Sequence, residues 1–195
     1  MLAENPTHFV NGQDMFSDYP EGYEQMMVGM GCFWGAERIF WKLEGVHVTS
    51  VGYAGGQHEN PNYKLVCTGT THHAEVVHIV FDPAVISFDE ILKIFFENHD
   101  PTQGNRQGND IGTQYRSTVY PYMNAHLKIA NVARDMYDAA YQAKGYGPVT
   151  TEIKMAPTYF PAEDYHQQYL AKNPNGYCGI SGTGVVCPIP QHIDS

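Results

Sequence analysis

Positive charge is scarce in this chain of 195 residues, which carries 11 lysines and arginines against 21 aspartates and glutamates. The formal net charge of −10, with no cluster of basic residues, argues against a nucleic-acid-binding protein. Long apolar runs are also absent, and none approaches the roughly 20 residues that a membrane-spanning helix needs. The first residues lack the basic and apolar regions of a signal peptide. We therefore expect a cytoplasmic protein that binds neither nucleic acid nor membranes.

Cysteine is sparse, with only Cys32, Cys67, Cys178 and Cys187. No Cys-x-x-Cys pair occurs, which excludes a zinc knuckle and a thioredoxin-type redox motif. In a reducing cytosol an even number of cysteines does not predict structural disulfides, but it is compatible with transient catalytic ones. We expect Cys67 to be a structural cysteine.

Internal repeats and low-complexity segments are absent as well, and 43% of the residues are hydrophobic against 16% charged. This composition is typical of one folded domain. We predict an N-terminal arm at 1–22, a catalytic domain at 23–172 and a C-terminal tail at 173–195. The glycines and prolines of the tail prevent regular structure over much of its length. A monomer is the default expectation.

Hydrophobic periodicity predicts strands and helices that alternate along the chain. The strands are expected at 24–30, 46–53, 73–81, 114–120 and 149–155, and the helices at 36–43, 63–67, 87–98, 124–144 and 162–172. The strand 73–81 is apolar on both faces, which favours a central position. The order strand–helix–strand–strand–helix–strand fits a split βαβ unit. We therefore predict an α/β (α+β) fold, a two-layer sandwich with a mixed sheet around a ferredoxin-like core and a long irregular tail.

One stretch, Gly31-Cys32-Phe33-Trp34-Gly35, falls between a predicted strand and a predicted helix. Free backbone N–H groups and the helix dipole favour an anion at such a turn. A cysteine there can have its pKa lowered, and the thiolate is the nucleophilic form. The alternative is a buried cysteine beside two core aromatics, which is the commoner fate of these residue types.

Six ordered segments resemble the A-type peptide methionine sulfoxide reductases, and the similarity runs from about residue 24 to the tail. The segments are Gly31-Cys32-Phe33-Trp34-Gly35-Ala36-Glu37, His73-Ala74-Glu75, Glu97-Asn98-His99-Asp100-Pro101, Gln107-Gly108-Asn109-Asp110, Gly112-Thr113-Gln114-Tyr115-Arg116-Ser117 and Gly176-Tyr177-Cys178-Gly179.

This resemblance implies reduction of methionine S-sulfoxide, free or within oxidised proteins, and hence a role in protein repair under oxidative stress. It implies a role for each of seven residues in the first step. Cys32 would be the nucleophile, Phe33 and Trp34 the wall around the substrate methyl group, Glu75 the acid, Tyr63 and Tyr115 the hydroxyl donors to the sulfoxide oxygen, and Asp110 a positioning residue.

The resemblance also implies how the enzyme is regenerated. Oxygen transfer would leave Cys32 as a sulfenic acid, which condenses with a thiol to a disulfide. Cys178 would form that disulfide and pass it to Cys187, and an external dithiol protein such as thioredoxin would reduce the final disulfide. No organic cofactor and no metal is needed, because the electrons come through thiols.

The residue types suit this chemistry independently of the resemblance. A sulfoxide is a poor electrophile because its oxygen leaves badly, and protonating that oxygen during thiolate attack removes the difficulty. Glu75 shares a strand face with Val77, Ile79 and Phe81, and such surroundings raise a carboxyl pKa. Taken alone, however, Glu75 would more often be a salt-bridged carboxylate, and Asp110 a turn residue that bonds its own backbone.

The chain departs from the family pattern at two places. His72 stands where that pattern has glycine before His-Ala-Glu, so backbone strain or a changed loop is expected beside Glu75. The tail is also one residue longer between Cys178 and Cys187 than in the common form of the family.

Three alternatives remain open from the residues alone. A metal site would draw on His72, His73, His78, His99 and Asp100, although adjacent histidines on a strand point to opposite faces. A Cys-His hydrolase would need a histidine aligned with the thiol. A peptide-binding module would use the aromatic pocket to hold methionine without any chemistry.

Overall fold

The computed structural model describes residues 5–187, and a six-stranded sheet lies at the centre of the fold. The strands are β1 (Glu24–Gly29), β2 (Val46–Ala54), β3 (Ala74–Phe81), β4 (Arg106–Gln107), β5 (Asp110–Ile111), β6 (Thr118–Pro121), β7 (Glu152–Ile153) and β8 (Tyr159–Pro161). The helices are α1 (Phe33–Phe40), α2 (Tyr63–Val66), α3 (Phe88–Glu97), α4 (Asn124–Ala143) and α5 (Tyr169–Lys172), with a 3₁₀ helix at Thr113–Tyr115.

The large sheet has the strand order β7-β6-β1-β3-β2-β8, while β4 and β5 form a separate hairpin. Its neighbouring strands are antiparallel except β6 and β7, so the sheet is mixed. β3 lies between β1 and β2, and the chain passes from β1 to β2 through α1. The prediction of an α/β fold with a mixed sheet is confirmed.

The sheet is covered on both faces, as the sequence of β3 predicted. Every residue of β3 is buried. On one face Val77, Ile79 and Phe81 pack into the main core with α1, α3 and α4, which contribute large side chains such as Phe40 and Phe95. The N-terminal arm and the segment before β8 cover the other face. Burial of such apolar side chains stabilises a fold by about 1.5–3 kcal/mol each.

The start of α3 agrees with its sequence signal, whereas α1 starts earlier than predicted. The capping box predicted for α3 is present, because the Glu90 N–H donates to Ser87 Oγ at 3.2 Å and the Ser87 N–H donates to Glu90 Oε2 at 2.8 Å. α1 begins at Phe33 rather than at residue 36, with Cys32 as its N-cap residue. The cysteine therefore lies directly at the helix N-terminus.

Two predicted strands are wrong over part of their length. Most of 114–120 lies outside β6, because the Tyr115 N–H bonds to Gly112 O and closes a 3₁₀ turn. Of 149–155 only Glu152–Ile153 is a strand. There the Thr150 N–H donates to the Pro101 carbonyl, so the segment bonds to a loop before it reaches the sheet. The sequence prediction also missed β8 and the β4–β5 hairpin.

The predicted helix 162–172 is mostly wrong, and only its last four residues form α5. Gln167 uses its side-chain amide on the edge of β2, accepting from Val51 N and donating to Val51 O, each at 2.8 Å. Gln168 adopts a left-handed conformation with φ of 47°, and its N–H donates to Glu37 Oε2. Long-range hydrogen bonds to β2 and α1 thus override the local helix preference.

The two ends of the described chain differ in character. His8 and Met15 of the arm are each 1% exposed, so the arm packs into the fold and does not merely lie over its surface. From 173 to 187 no helix or strand occurs, as the glycine content predicted. Pro188 and Pro190, which contributed to that prediction, lie outside the described residues. Between residues 5 and 187, no helix has the length and apolar content that a membrane crossing requires.

His72 has φ of 56°, in the left-handed region that favours glycine. The strain expected at this position is therefore present.

We expect His72→Gly to raise the free energy of unfolding by about 0.5–1 kcal/mol, because removing the Cβ clash outweighs the larger entropy of glycine in the unfolded chain. Urea unfolding measures the change. His72→Asn, which tolerates this conformation better than most residues, should give a smaller gain. Equal or lower stability for both variants would contradict the prediction.

Candidate active site

Strand register brings the predicted site residues to one end of the sheet. Val28 pairs with Val77 in the antiparallel β1–β3 ladder, so continuing that register places Met30 opposite Glu75. The β1–β6 ladder pairs Gly29 with Thr118. Because these strands are antiparallel, Tyr115, which precedes β6, lies toward the end of β1. The acid, one phenol and the cysteine turn therefore converge where β1 ends.

The Cys32 turn is held by backbone geometry. Gly31 has φ of 101°, and a Cβ there would lie 2.7 Å from Gln107 Cγ, so only glycine fits. Cys32 is 8% exposed, and the backbone N–H groups of Trp34 and Gly35 at the start of α1 act to lower its pKa. This is the anion-favouring helix start that the sequence predicted.

The expected lowering of the Cys32 pKa is nevertheless wrong for the structure without substrate. Burial raises the pKa of the thiol well above its ordinary value, and negative charge at Glu75 raises it further. The backbone N–H groups of Trp34 and Gly35 offset only part of this effect. The Cys32 thiol is therefore protonated, and a nucleophilic role would require a partner that takes up its proton.

Glu75 lies directly beside the Cys32 turn. Its Oε2 accepts a 3.0 Å hydrogen bond from the backbone N–H of Phe33, the residue after Cys32. Glu75 is 2% exposed, and burial raises the pKa of its carboxyl group to about 8, with the Phe33 hydrogen bond opposing the shift and the charge at Asp110 adding to it. Glu75 is thus mainly protonated at neutral pH and able to donate.

Both predicted tyrosines share these surroundings. The pKa of Tyr115 is raised by burial and then by negative charge at Glu75. The pKa of Tyr63 is raised by burial and then by the neighbouring Cys67 sulfur, with Glu75 contributing as well. Phenols with raised pKa values keep their protons and can donate hydrogen bonds. Asp110 accepts from the hydroxyl of Tyr177 at 3.2 and 3.3 Å.

Aromatic rings surround the start of α1. Phe33 is 1% exposed, and its ring lies 5.0 Å from the ring of His166. Trp34 stacks on Tyr169 with ring centroids 3.9 Å apart. The Trp34 indole N–H donates to His166 Nδ1 at 2.9 Å, which requires a neutral imidazole. Burial accordingly lowers the pKa of His166 to about 4.

The sequence interpretation missed three residues of this site, namely His166, Glu163 and Tyr177. His166 and Glu163 lay in the predicted helix 162–172, where a helical pattern gives no reason to single them out. Glu163 accepts from the Tyr63 N–H at 2.9 Å and fixes the start of α2. Tyr177 belonged to a recognised motif but had been given no role, although it bonds Asp110 beside the site.

The remaining cysteines lie in different places. All four cysteines are free thiols. The Cys178 sulfur packs on α1, where a Cβ on Gly35 would lie 2.9 Å from it. Cys187 lies elsewhere, because its carbonyl accepts from the Tyr137 hydroxyl of α4. Cys67 is exposed beside Tyr63 and does not pack in the core, and its structural role stays a prediction.

Two histidines of the alternative metal site have structural partners. His78 Nε2 lies 3.1 Å from Gln25 Oε1, and His99 hydrogen-bonds Phe95 O and Ser117 Oγ. Across the part of the chain that the structure describes, no group of three His, Cys, Asp or Glu side chains could hold a metal ion. The Cys-His hydrolase gains no support either, because the side chain that hydrogen-bonds the Cys32 turn is a carboxylate, Glu75, whose Oε2 accepts from the Phe33 N–H.

Known proteins match this arrangement over nearly the whole chain. The family model for peptide methionine sulfoxide reductase matches residues 24–187. The peptide methionine sulfoxide reductase MsrA of Brucella anthropi is 61% identical over 189 residues, which cover 97% of this chain and 87% of that protein.

Two solved structures have folds similar to that of this chain. Methionine sulfoxide reductase A of Corynebacterium diphtheriae has a TM-score of 0.85 at 46% identity and covers 97% of this chain and 92% of its own. Mxr1 from Saccharomyces cerevisiae in reduced form has a TM-score of 0.76 at 36% identity, covering 84% of this chain and 92% of its own. The resemblance found in the sequence is confirmed: the chain belongs to the peptide methionine sulfoxide reductase family.

Proposed function

We propose that this chain reduces methionine S-sulfoxide, free or in oxidised proteins, with Cys32 as nucleophile and Glu75 as acid. The observation that carries the proposal is the hydrogen bond from Phe33 N–H to Glu75 Oε2, at 3.0 Å, which fixes the acid beside the nucleophile. Phe33 and Trp34 form the apolar wall for the substrate methyl group.

In the first step the Cys32 sulfur attacks the sulfoxide sulfur. Glu75 donates its proton to the sulfoxide oxygen, and the thiol proton of Cys32 restores that of Glu75. Tyr63 and Tyr115 donate hydrogen bonds to the same oxygen as it gains negative charge. Asp110 positions substrate, together with the Tyr177 hydroxyl that it binds. The new bond between the two sulfurs and the S–O bond of the substrate then break as the protonated oxygen passes to the Cys32 sulfur. The products are methionine and a Cys32 sulfenic acid.

In the second step Cys178 attacks the sulfenic acid and water leaves. Its position against α1, the helix that begins after Cys32, supports this order. Transfer of the disulfide to Cys187 requires the tail to move, because Cys187 contacts α4. Thioredoxin is the reductant that we propose. Yeast Mxr1 in complex with Trx2 is among the structures with a similar fold, at 23% identity and a TM-score of 0.54.

Cys178→Ser should separate the two steps. Given methionine S-sulfoxide, the variant is expected to release about one methionine per protein and then stop in the presence of thioredoxin, because the sulfenic acid lacks its resolving thiol. Chromatography of released methionine, with the R-sulfoxide as the unreactive substrate, provides the measurement. Cys67→Ser is the matched control and should cycle normally. Continued turnover by Cys178→Ser would show that another thiol resolves the intermediate.

The finer assignments of the fold, the oligomeric state and the location in the cell are also proposals. The order β6-β1-β3-β2, with α1 and α3 as crossovers, is that of a split βαβ unit, which supports a ferredoxin-like core in a two-layer sandwich. A monomer in the cytoplasm remains the expectation from composition and charge.

A further inference from the structure

Arg38 connects the helix of the nucleophile to the tail. Its guanidinium Nη2 donates a hydrogen bond of 3.0 Å to the sulfur of Cys178, 140 residues further along the chain. Arg38 lies in the last turn of α1 and is partly buried. Neither the predicted site nor the proposed first step uses this residue.

The contact lies on the face of α1 that starts at the nucleophile. Cys32, Gly35 and Arg38 follow one another at intervals of three residues, so they lie along one side of the helix. A Cβ at Gly35 would approach the Cys178 sulfur to 2.9 Å and Ile180 Cδ1 to 3.1 Å. Glycine is disfavoured inside a helix, and its presence here leaves the space in which the tail lies.

We propose that Arg38 is a positioning residue for the second step, which holds the Cys178 sulfur on this face of α1 for attack on the Cys32 sulfenic acid. The inference rests on the proposed function. In that step the S–O bond of Cys32 breaks and an S–S bond to Cys178 forms. The hydroxyl group leaves with the thiol proton as water, while the Cys178 sulfur is oxidised and the Cys32 sulfur is reduced. As that proton leaves, a charged donor stabilises the negative charge that develops on the Cys178 sulfur more strongly than a neutral donor does.

A purely structural role for Arg38 is the alternative. A cation in the last turn interacts favourably with the helix dipole, whether or not it touches the tail. Lys42 is a matched control, because it is an exposed cation four residues after Arg38. If only the dipole matters, Arg38→Met and Lys42→Met should have similar effects.

The test is rapid-quench single turnover with one equivalent of methionine S-sulfoxide. Released methionine reports the first step, and peptide mapping of alkylated, non-reduced protein reports the Cys32–Cys178 disulfide. In Arg38→Met we expect methionine release at the wild-type rate and disulfide formation slowed about tenfold to a hundredfold, as for loss of a charged hydrogen bond. Arg38→Lys should restore part of the rate, and Lys42→Met should match wild type.

Any other outcome overturns either the role of Arg38 or the proposed function. Disulfide formation at the wild-type rate in Arg38→Met, equal slowing of both steps, or no restoration by lysine would overturn the role of Arg38. If Arg38→Met does not fold, Arg38→Gln takes its place with the same expected split between the steps. Absence of released methionine from the wild-type protein would instead refute the proposed function, so the two failures are distinguishable.

Discussion

Cys32→Ser is expected to abolish reduction of methionine sulfoxide, with turnover at least about 10⁴-fold below wild type. A serine hydroxyl is a far weaker nucleophile than a thiol and cannot take up oxygen as a sulfenic acid. Because Cys32 makes no side-chain cap to α1, the substitution should leave the fold intact. Thioredoxin-coupled turnover, or methionine release with a chemical dithiol, measures the loss.

The matched control for this substitution is Cys67→Ser, which removes an exposed thiol near the site and should retain wild-type activity. The variant at Cys32 also separates an enzyme from a peptide-binding module, since a module would bind oxidised peptide and show no turnover in either protein. Residual reduction by Cys32→Ser above about 1% of wild type would contradict the role of Cys32.

Glu75→Gln is expected to lower kcat/KM about 10²- to 10⁴-fold at neutral pH, the usual contribution of a positioned general acid. Glutamine has nearly the same shape, and its side-chain oxygen can accept the Phe33 N–H bond, so the site geometry should persist. Glu44→Gln, an exposed carboxylate after α1, is the matched control and should leave kcat/KM unchanged.

The pH dependence makes this prediction specific. Burial raises the pKa of Glu75 to about 8, so the acid is present below that pH and is lost as the pH rises through it. The ratio of wild-type to Glu75→Gln rates should therefore be large below pH 8 and fall above it. Both proteins share the Cys32 thiol, whose ionisation increases with pH, so the ratio isolates the carboxyl group. A constant ratio from pH 6 to 10 would show that Glu75 does not act as an acid.

Stability gives an independent check on the same group. A carboxyl whose pKa is raised by folding stabilises the protein fully below its unfolded pKa, and that contribution is lost as the pH rises through about 8. Because glutamine does not ionise, Glu75→Gln removes this loss of stability at high pH. The inactive variant should then be more stable than wild type at pH 8, which would exclude unfolding as the cause of its low activity.

Local patterns in the sequence were sufficient for the elements whose bonds are local or regularly paired. The apolar run of β3, the capping box at Ser87 and the glycine-flanked turn at Cys32 each specify their structure within a few residues. The local patterns failed where hydrogen bonds to distant polar groups compete with the local preference for a helix. Gln167 and Gln168 bond to β2 and α1 instead of continuing a helix, and no periodic pattern encodes those partners.

The same distinction between local and long-range information applies to the site residues. Ordered motifs predicted Cys32 and Glu75 as site residues, because both stand within short recognisable segments, and the structure brings Glu75 to the Cys32 turn. The motifs could not show the net effect of burial on the Cys32 pKa, which depends on how the whole fold packs around the sulfur. Nor could they show His166 or Arg38, whose roles arise from contacts with Trp34 and Cys178 across more than 130 residues.

The most direct test of the mechanism identifies the sulfur that accepts the oxygen. Cys178→Ser protein is given one equivalent of methionine S-sulfoxide in the presence of dimedone, which traps sulfenic acids, and its peptides are then analysed by mass spectrometry. The account predicts one dimedone adduct on the peptide containing Cys32, formed in proportion to the methionine released. Methionine release with the adduct on Cys67 or Cys187, or with no adduct at all, would contradict it.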